Sequence, residues 1–154
     1  MNEVRYGRRV SLFALRDKDS GVLLQHRDDG APILPNYWAF FGGGIEEGES
    51  PEEAVRREAR EELGIELRDL RLFRRYESDF EKYGLVEEFV FTAPLLYDLN
   101  RLKVQLHEGD NLGLFSFEEL GELKIHKNNM FILKDLFEKH KTQALEIFIS
   151  NPFY

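Results

Sequence analysis

Three glutamates open the chemistry of this chain: Glu58, Glu61 and Glu62, followed at once by Leu63 and Gly64. On a helix at about 100° per residue they fall within one arc of roughly 100°. That arc lies beside the apolar stripe Val55, Ala59 and Leu63, so the carboxylates are expected to converge at the edge of a buried face. The arrangement is unfavourable for a bare helix. Glu58 and Glu62 are like charges at i, i+4, and all three glutamates sit in the C-terminal half, where the helix dipole disfavours anions. Converging oxygen ligands without thiols suit Mg²⁺, with Mn²⁺ as the alternative, and a divalent cation would turn the repulsion into attraction. Arg57, one turn before Glu61, can brace it, while Arg56 and Arg60 are expected to point to solvent.

The elements that must position these groups are marked in the sequence. Ser50 reads as an N-cap, Pro51 as the first helical residue, Glu53 as the far side of a capping box, and Gly64 as a left-handed terminator. A helix is therefore predicted over 51–63. Just before it, Trp38 to Phe41 is a short apolar segment that stops at Gly42-Gly43-Gly44. Val10–Leu15 and Val22–Leu24 read as strands of a hairpin around Asp19-Ser20-Gly21, and 28–37 as an exposed loop. Further strands are predicted over Leu70–Tyr76, Glu87–Thr92 (with Phe89 and Phe91 on one face) and Leu112–Phe117. Met130–Phe137 has helical spacing, and Ala144–Ile149 fits a helix or a strand. Strands and helices interleave without strict alternation, which predicts a mixed sheet flanked by helices in one α/β domain spanning 1–154.

Composition narrows the classes of function. The 154 residues carry 21 Lys+Arg against 29 Asp+Glu, a net charge of −8. Segment 46–62 alone holds eight Glu and three Arg, a net of −5. Such a chain is a poor ligand for nucleic-acid polymers or anionic membranes. No apolar stretch approaches the ~20 residues of a membrane span, and the first residues have no signal-like run, so a cytoplasmic protein is expected. With no cysteine, disulfides, thiolate metal sites and thiol nucleophiles are excluded.

Gly43, Glu49, Arg57, Glu58, Glu61, Glu62, Gly64 and Ile65 follow the pattern G-x5-E-x7-R-E-U-x-E-E-x-G-U, with U aliphatic. This stretch resembles a Nudix box, and the chain is similar to the Nudix hydrolase superfamily. The resemblance implies an α/β/α sandwich with a mixed β-sheet. It implies Glu58, Glu61 and Glu62 as metal ligands with the Gly42 carbonyl beside them, and Glu49 and Arg57 as the groups that orient the glutamates. Downstream, His107-Glu108-Gly109-Asp110 looks like the family's Glu-Gly loop, which makes Glu108 a further metal ligand or base after Glu58. The reaction implied is attack of water at phosphorus in a nucleoside diphosphate linked to another group: a nucleoside triphosphate, a sugar nucleotide or a dinucleoside polyphosphate. Family members are commonly homodimers. Two positions depart from the usual pattern: Ala59 replaces a larger aliphatic, and Phe41 stands where many members have proline.

Substrate contacts are sparser in the sequence. Arg27 is a candidate phosphate contact, and Tyr37 and Trp38 are candidates for stacking on a base. Tyr83 stands 18 residues beyond the box, where diadenosine-polyphosphate hydrolases of the family often carry tyrosine. Phe80 occupies the place of the proline found in ADP-ribose-cleaving members. An isopentenyl diphosphate isomerase, which shares the fold, would need a catalytic cysteine. The remaining alternative is a weakly catalytic domain that senses a nucleotide ligand.

Overall fold

The computed structural model describes residues 3–19, 21–107 and 109–150, the segment 140–150 by its backbone alone. The sheet is organised around β1 (Arg8–Arg16), which runs parallel to β6 (Gly84–Pro94) from Arg8↔Val86 to Arg16↔Pro94. The long hairpin of β5 (Arg71–Phe80) with β6 completes that side, with a bulge between Leu72 and Arg74.

On its other edge β1 behaves differently. Its ladder with β2 (Val22–His26) is the pair Arg16↔Val22, next to the turn, and the two strands then separate. The segment after the 28–37 loop fills the gap: β3 (Trp38–Ala39) pairs with β2, and β4 (Phe41–Gly44) pairs with β1. At the break between them, buried Gln25 donates its side-chain amide to the Phe40 carbonyl at 3.0 Å. β7 (Asn111–Phe115) closes the far edge of β2 in antiparallel register. The expected hairpin is thus present at its turn and split below it. That split brings the three glycines to the middle of the sheet.

Alternate residues of each strand point to opposite faces, and both faces are covered. Phe13, Leu23, Phe41 and Phe91 pack beneath α1 (Pro51–Leu63) and α2 (Leu99–Gln105). Ala14, Leu24, Phe40 and Val90 pack on the opposite side, beneath α3 (Lys127–Ser150) and the 3-10 helix Glu118–Glu122. This is the expected α/β/α sandwich with a mixed sheet. Ala144–Ile149, which fits either element by sequence, continues the backbone of α3. The sequence reading missed α2: it is seven residues long, starts at an Asp98 cap and buries only Leu102, too little for a periodic stripe.

Candidate active site

Helix α1 spans the predicted residues because its ends are fixed locally. The Ser50 hydroxyl accepts from the Glu53 amide at 3.1 Å, while the Glu53 carboxylate accepts from the Ser50 amide at 3.3 Å. Gly64 ends the helix at φ 66°, donating its amide to the Arg60 carbonyl. Val55, Ala59 and Leu63 are fully buried on the sheet, and Phe41 stacks on Phe13 at 5.6 Å. The small Ala59 and the bulky Phe41, both departures from the family pattern, are therefore ordinary core residues.

The helix edge beside this stripe lies under the glycine segment. Gly42, at φ 134°, donates its amide to Glu62 Oε2 at 3.3 Å. A Cβ on Gly42 would stand 2.1 Å from the Ser11 carbonyl oxygen, and one on Gly43 would stand 2.5 Å from Glu58 Oε1. Glycine at 43 therefore leaves the space that the Glu58 carboxyl occupies. Glu58 and Glu62 are both buried and hydrogen-bond each other, and burial pushes the Glu58 carboxyl above the usual carboxylate range.

Arg57 ties the loop to the helix. Its guanidinium donates to both Glu49 oxygens at 2.8 and 2.9 Å, to the Gly44 carbonyl at 2.9 Å, and to Glu58 Oε1 at 2.9 Å. Glu61 receives a longer bond of 3.2 Å. Hydrogen bonds from Arg57, and then from the Glu46 amide, hold the Glu49 carboxyl down at about 2. Paired to a bidentate guanidinium, Glu49 is a fixed anion and Arg57 a fixed cation.

The expected convergence of three carboxylates is only partly present. Glu58 and Glu62 face each other, whereas the Glu61 side chain is 59% exposed and turned toward Arg57. Among the described residues no three histidine or carboxylate side chains meet at one point. The opposite charge one turn away accounts for the outward pose of Glu61. Arg56 also differs from expectation: it is half-buried and donates to the Leu67 carbonyl at 2.9 Å, which anchors the segment after the helix.

Two clefts meet at the glycine segment. The larger, about 400 Å³, is lined by Glu58, His107, Asp28 and the three glycines; the smaller, about 120 Å³, by Phe40, Phe80, Tyr83, Glu88 and Asn129. Arg8, Arg27, Ile33, Gly42 and Gly43 belong to both. Arg27 is oriented by a 2.7 Å bond to the Ile33 carbonyl. Tyr83, in the turn of the β5–β6 hairpin, accepts from Arg8 at 3.2 Å and lies under its guanidinium.

The other candidates lie apart. Trp38 packs edge-on against His26 and Phe115, and Tyr37 contacts His126 and Lys124; neither is among the described residues lining these clefts. Glu108 lies outside the described residues. Its neighbours His107 and Gly109 line the larger cleft, and Asp110 pairs with His26 at 2.6 Å.

Sequence reading missed Arg8 and Glu88. Arg8 stands in the run Arg5-Tyr6-Gly7-Arg8-Arg9, whose spacing carries no motif. Glu88 did leave a signal, as the acidic residue between Val86 and Val90 on an otherwise apolar strand face.

Comparison with known proteins agrees with this architecture. The family model described as NUDIX domain matches residues 5–136. The nucleoside triphosphatase NudI of Escherichia coli O139:H28 (strain E24377A / ETEC) is 46% identical over 59 residues, 38% of this chain and 42% of that protein. The matched stretch therefore spans under half of that relative's length. Among solved structures, the MutT protein of Methanosarcina mazei Go1 superposes with a TM-score of 0.68 at 21% identity, over 89% of this chain and 94% of that one. The NUDIX domain of Shewanella oneidensis NrtR, crystallised with ADP ribose, superposes with a TM-score of 0.71 at 18% identity, over 90% of each chain. With the family model matched across most of its length, the chain belongs to the NUDIX domain family.

Proposed function

We propose that this chain is a Mg²⁺-dependent pyrophosphohydrolase, acting in the cytoplasm as a single domain on nucleoside diphosphate derivatives. The observation that carries the reading is the buried pair Glu58 and Glu62, facing each other beside the larger cleft under the glycine segment. Two buried carboxyls in contact are unfavourable unless a proton or a cation lies between them. Their donor set, all oxygen and roofed by backbone, fits a hard divalent ion. Glu58, Glu62, Glu61 and the Gly42 carbonyl are the residues to hold it, with Glu108 as a further carboxylate. When bound, such an ion polarises phosphate oxygens, offsets developing charge and acidifies a coordinated water.

The chain's own groups supply the rest. Arg57 fixes the Glu58 oxygen through one bond and is itself fixed by Glu49, so the carboxylate is held before substrate arrives. Glu58, its affinity for a proton raised by burial, is suited to take the proton of the attacking water. Glu108 is the second choice. Arg8 and Arg27, on walls shared by both clefts, are placed to meet the phosphates flanking the cleaved bond. The relative named as a nucleoside triphosphatase supports a nucleoside triphosphate as substrate.

A screen of nucleoside triphosphates, sugar nucleotides and dinucleoside polyphosphates with Mg²⁺ tests the proposal. A nucleoside monophosphate is the expected product, with ¹⁸O from labelled water on one phosphorus only. Efficient cleavage of inositol pyrophosphates with nucleotides untouched would overturn the substrate class.

A further inference from the structure

Strand β6 carries an anomaly that the hydrolytic chemistry does not use. Val86 and Val90 are buried, Val90 in the second core and Val86 on the wall of the smaller cleft, and between them, on the same face, stands Glu88, only 2% exposed. Its register neighbours are Val10 on β1 and Tyr76 on β5, and neither offers a cation. Burial raises the Glu88 carboxyl to about 7, with the Ser78 hydroxyl as the one counteracting contact. Glu88 Oε2 has no hydrogen-bond partner among the described residues. A valine would serve the core better here. A carboxyl kept at such a position with one buried oxygen unpartnered points to a ligand.

The surroundings say what kind. Glu88 lines the smaller cleft together with the rings of Phe80 and Tyr83, the side chain of Leu34 and the buried amide of Asn129. Away from Arg8 and Arg27, which line the wall shared with the larger cleft, aromatic and apolar walls with two hydrogen-bonding groups fit a flat heterocycle. A sugar would leave many hydroxyls facing hydrocarbon, and a second phosphate would meet the carboxylate. The cleft also shares Gly42 and Gly43 with the larger one, where Glu58 lies. A nucleotide whose phosphates lie beside Glu58 therefore reaches the smaller cleft with its base.

We propose that Glu88 reads the nucleobase: its carboxyl, with the Asn129 amide, hydrogen-bonds the edge of a base held between the Tyr83 turn and Leu34, and so sets base preference. The proposal rests on the nucleotide reading of the site. Base contacts are made equally in ground and transition state, so they appear in KM and binding rather than in kcat.

The test compares wild type, Glu88→Leu and the isosteric Glu88→Gln. Calorimetric binding of the four nucleoside monophosphates is measured beside kcat/KM for the four triphosphates and for ribose 5-triphosphate, which has no base. Wild type is expected to separate the bases by at least about tenfold, Glu88→Leu to compress that range to about threefold, and Glu88→Gln to reorder it. Ribose 5-triphosphate turnover is expected to be unchanged. An unaltered ranking in Glu88→Leu overturns the proposal, as does an equal fall with the baseless substrate or no base preference in wild type. If no triphosphate is hydrolysed by wild type, the hydrolase reading fails, and monophosphate binding still decides the role of Glu88.

Discussion

Adjacent glycines in the 42–44 segment do different jobs, and one methyl group separates them. Gly43 has an ordinary backbone conformation that alanine adopts without strain. Its new Cβ, however, would lie 2.5 Å from Glu58 Oε1 and 2.7 Å from Glu58 Cδ, where ordinary contact starts at 3.4 Å. The carboxyl must therefore retreat by the difference between 3.4 and 2.5 Å, or 0.9 Å, and in doing so loosen the 2.9 Å bond from Arg57. The obstacle is the end of a flexible side chain, so the fold is expected to absorb the change within about 1 kcal/mol. A displacement of about 1 Å in a positioned group costs about 100-fold in rate, or about 3 kcal/mol of barrier. Gly43→Ala should accordingly keep its melting temperature and lose about two orders of magnitude in Mg²⁺-dependent kcat. Gly42→Ala is the contrast: its Cβ meets the Ser11 backbone oxygen at 2.1 Å at φ 134°, which should destabilise the fold by about 3 kcal/mol or more. Both variants are assayed by steady-state kinetics and calorimetric melting. Wild-type kcat in Gly43→Ala, or unfolding to the extent seen for Gly42→Ala, would refute the reasoning.

Three further expectations follow from the same geometry. Arg57→Lys keeps the charge but loses the fork that grips Glu49, Gly44 and Glu58, so kcat should fall by at least about tenfold with little change in KM; an effect on KM alone would make Arg57 a substrate contact. Glu62→Gln removes one member of the buried carboxyl pair, so the metal-free protein should melt at the wild-type temperature or above while Mg²⁺ no longer raises it; a wild-type Mg²⁺ shift would move the metal site elsewhere. Glu88 stands at about 7 against an ordinary 4.5, so below pH 4.5 both folded and unfolded chains carry its proton, and between the two values only the folded chain holds it. Stability is therefore lost as pH rises through that window, and Glu88→Gln should gain over wild type by up to about 3 kcal/mol at pH 8 and by nothing at pH 4; a pH-independent difference in denaturant titrations would contradict this.

How far the sequence was legible depended on how local the signal was. Helix α1 could be delimited to the residue, since Ser50, Pro51, Glu53 and Gly64 act within one turn of each end. The brace from Arg57 to Glu61 was readable from helix spacing, whereas the involvement of Glu49 was readable only through the box pattern. The bond from Arg57 to Glu49 crosses the loop before the helix, and no periodicity encodes that. The pose of Glu61 was not foreseeable from helix angles, because it turns on whether Arg57 or its neighbouring carboxylates attract it more. The split between β1 and β2 was hidden for a similar reason: which strand fills the gap is decided by tertiary pairing of residues 38–44. Trp38 and Tyr37 were natural candidates for stacking by residue type, yet the register that pairs His26 with Trp38 turns the indole toward Phe115. Glu88 was visible as an acid on an apolar face, but its meaning required knowing that the face borders a cleft.

The central claim is that the buried pair on α1 binds a divalent ion for hydrolysis of a nucleotide diphosphate bond. It is tested most directly by titrating Mn²⁺ into wild type and Glu62→Gln under electron paramagnetic resonance, in the same buffer in which triphosphate cleavage is followed. The account predicts that wild type binds Mn²⁺ and releases a nucleoside monophosphate, and that Glu62→Gln, still folded, loses both together. Wild-type Mn²⁺ binding and cleavage in Glu62→Gln would contradict it.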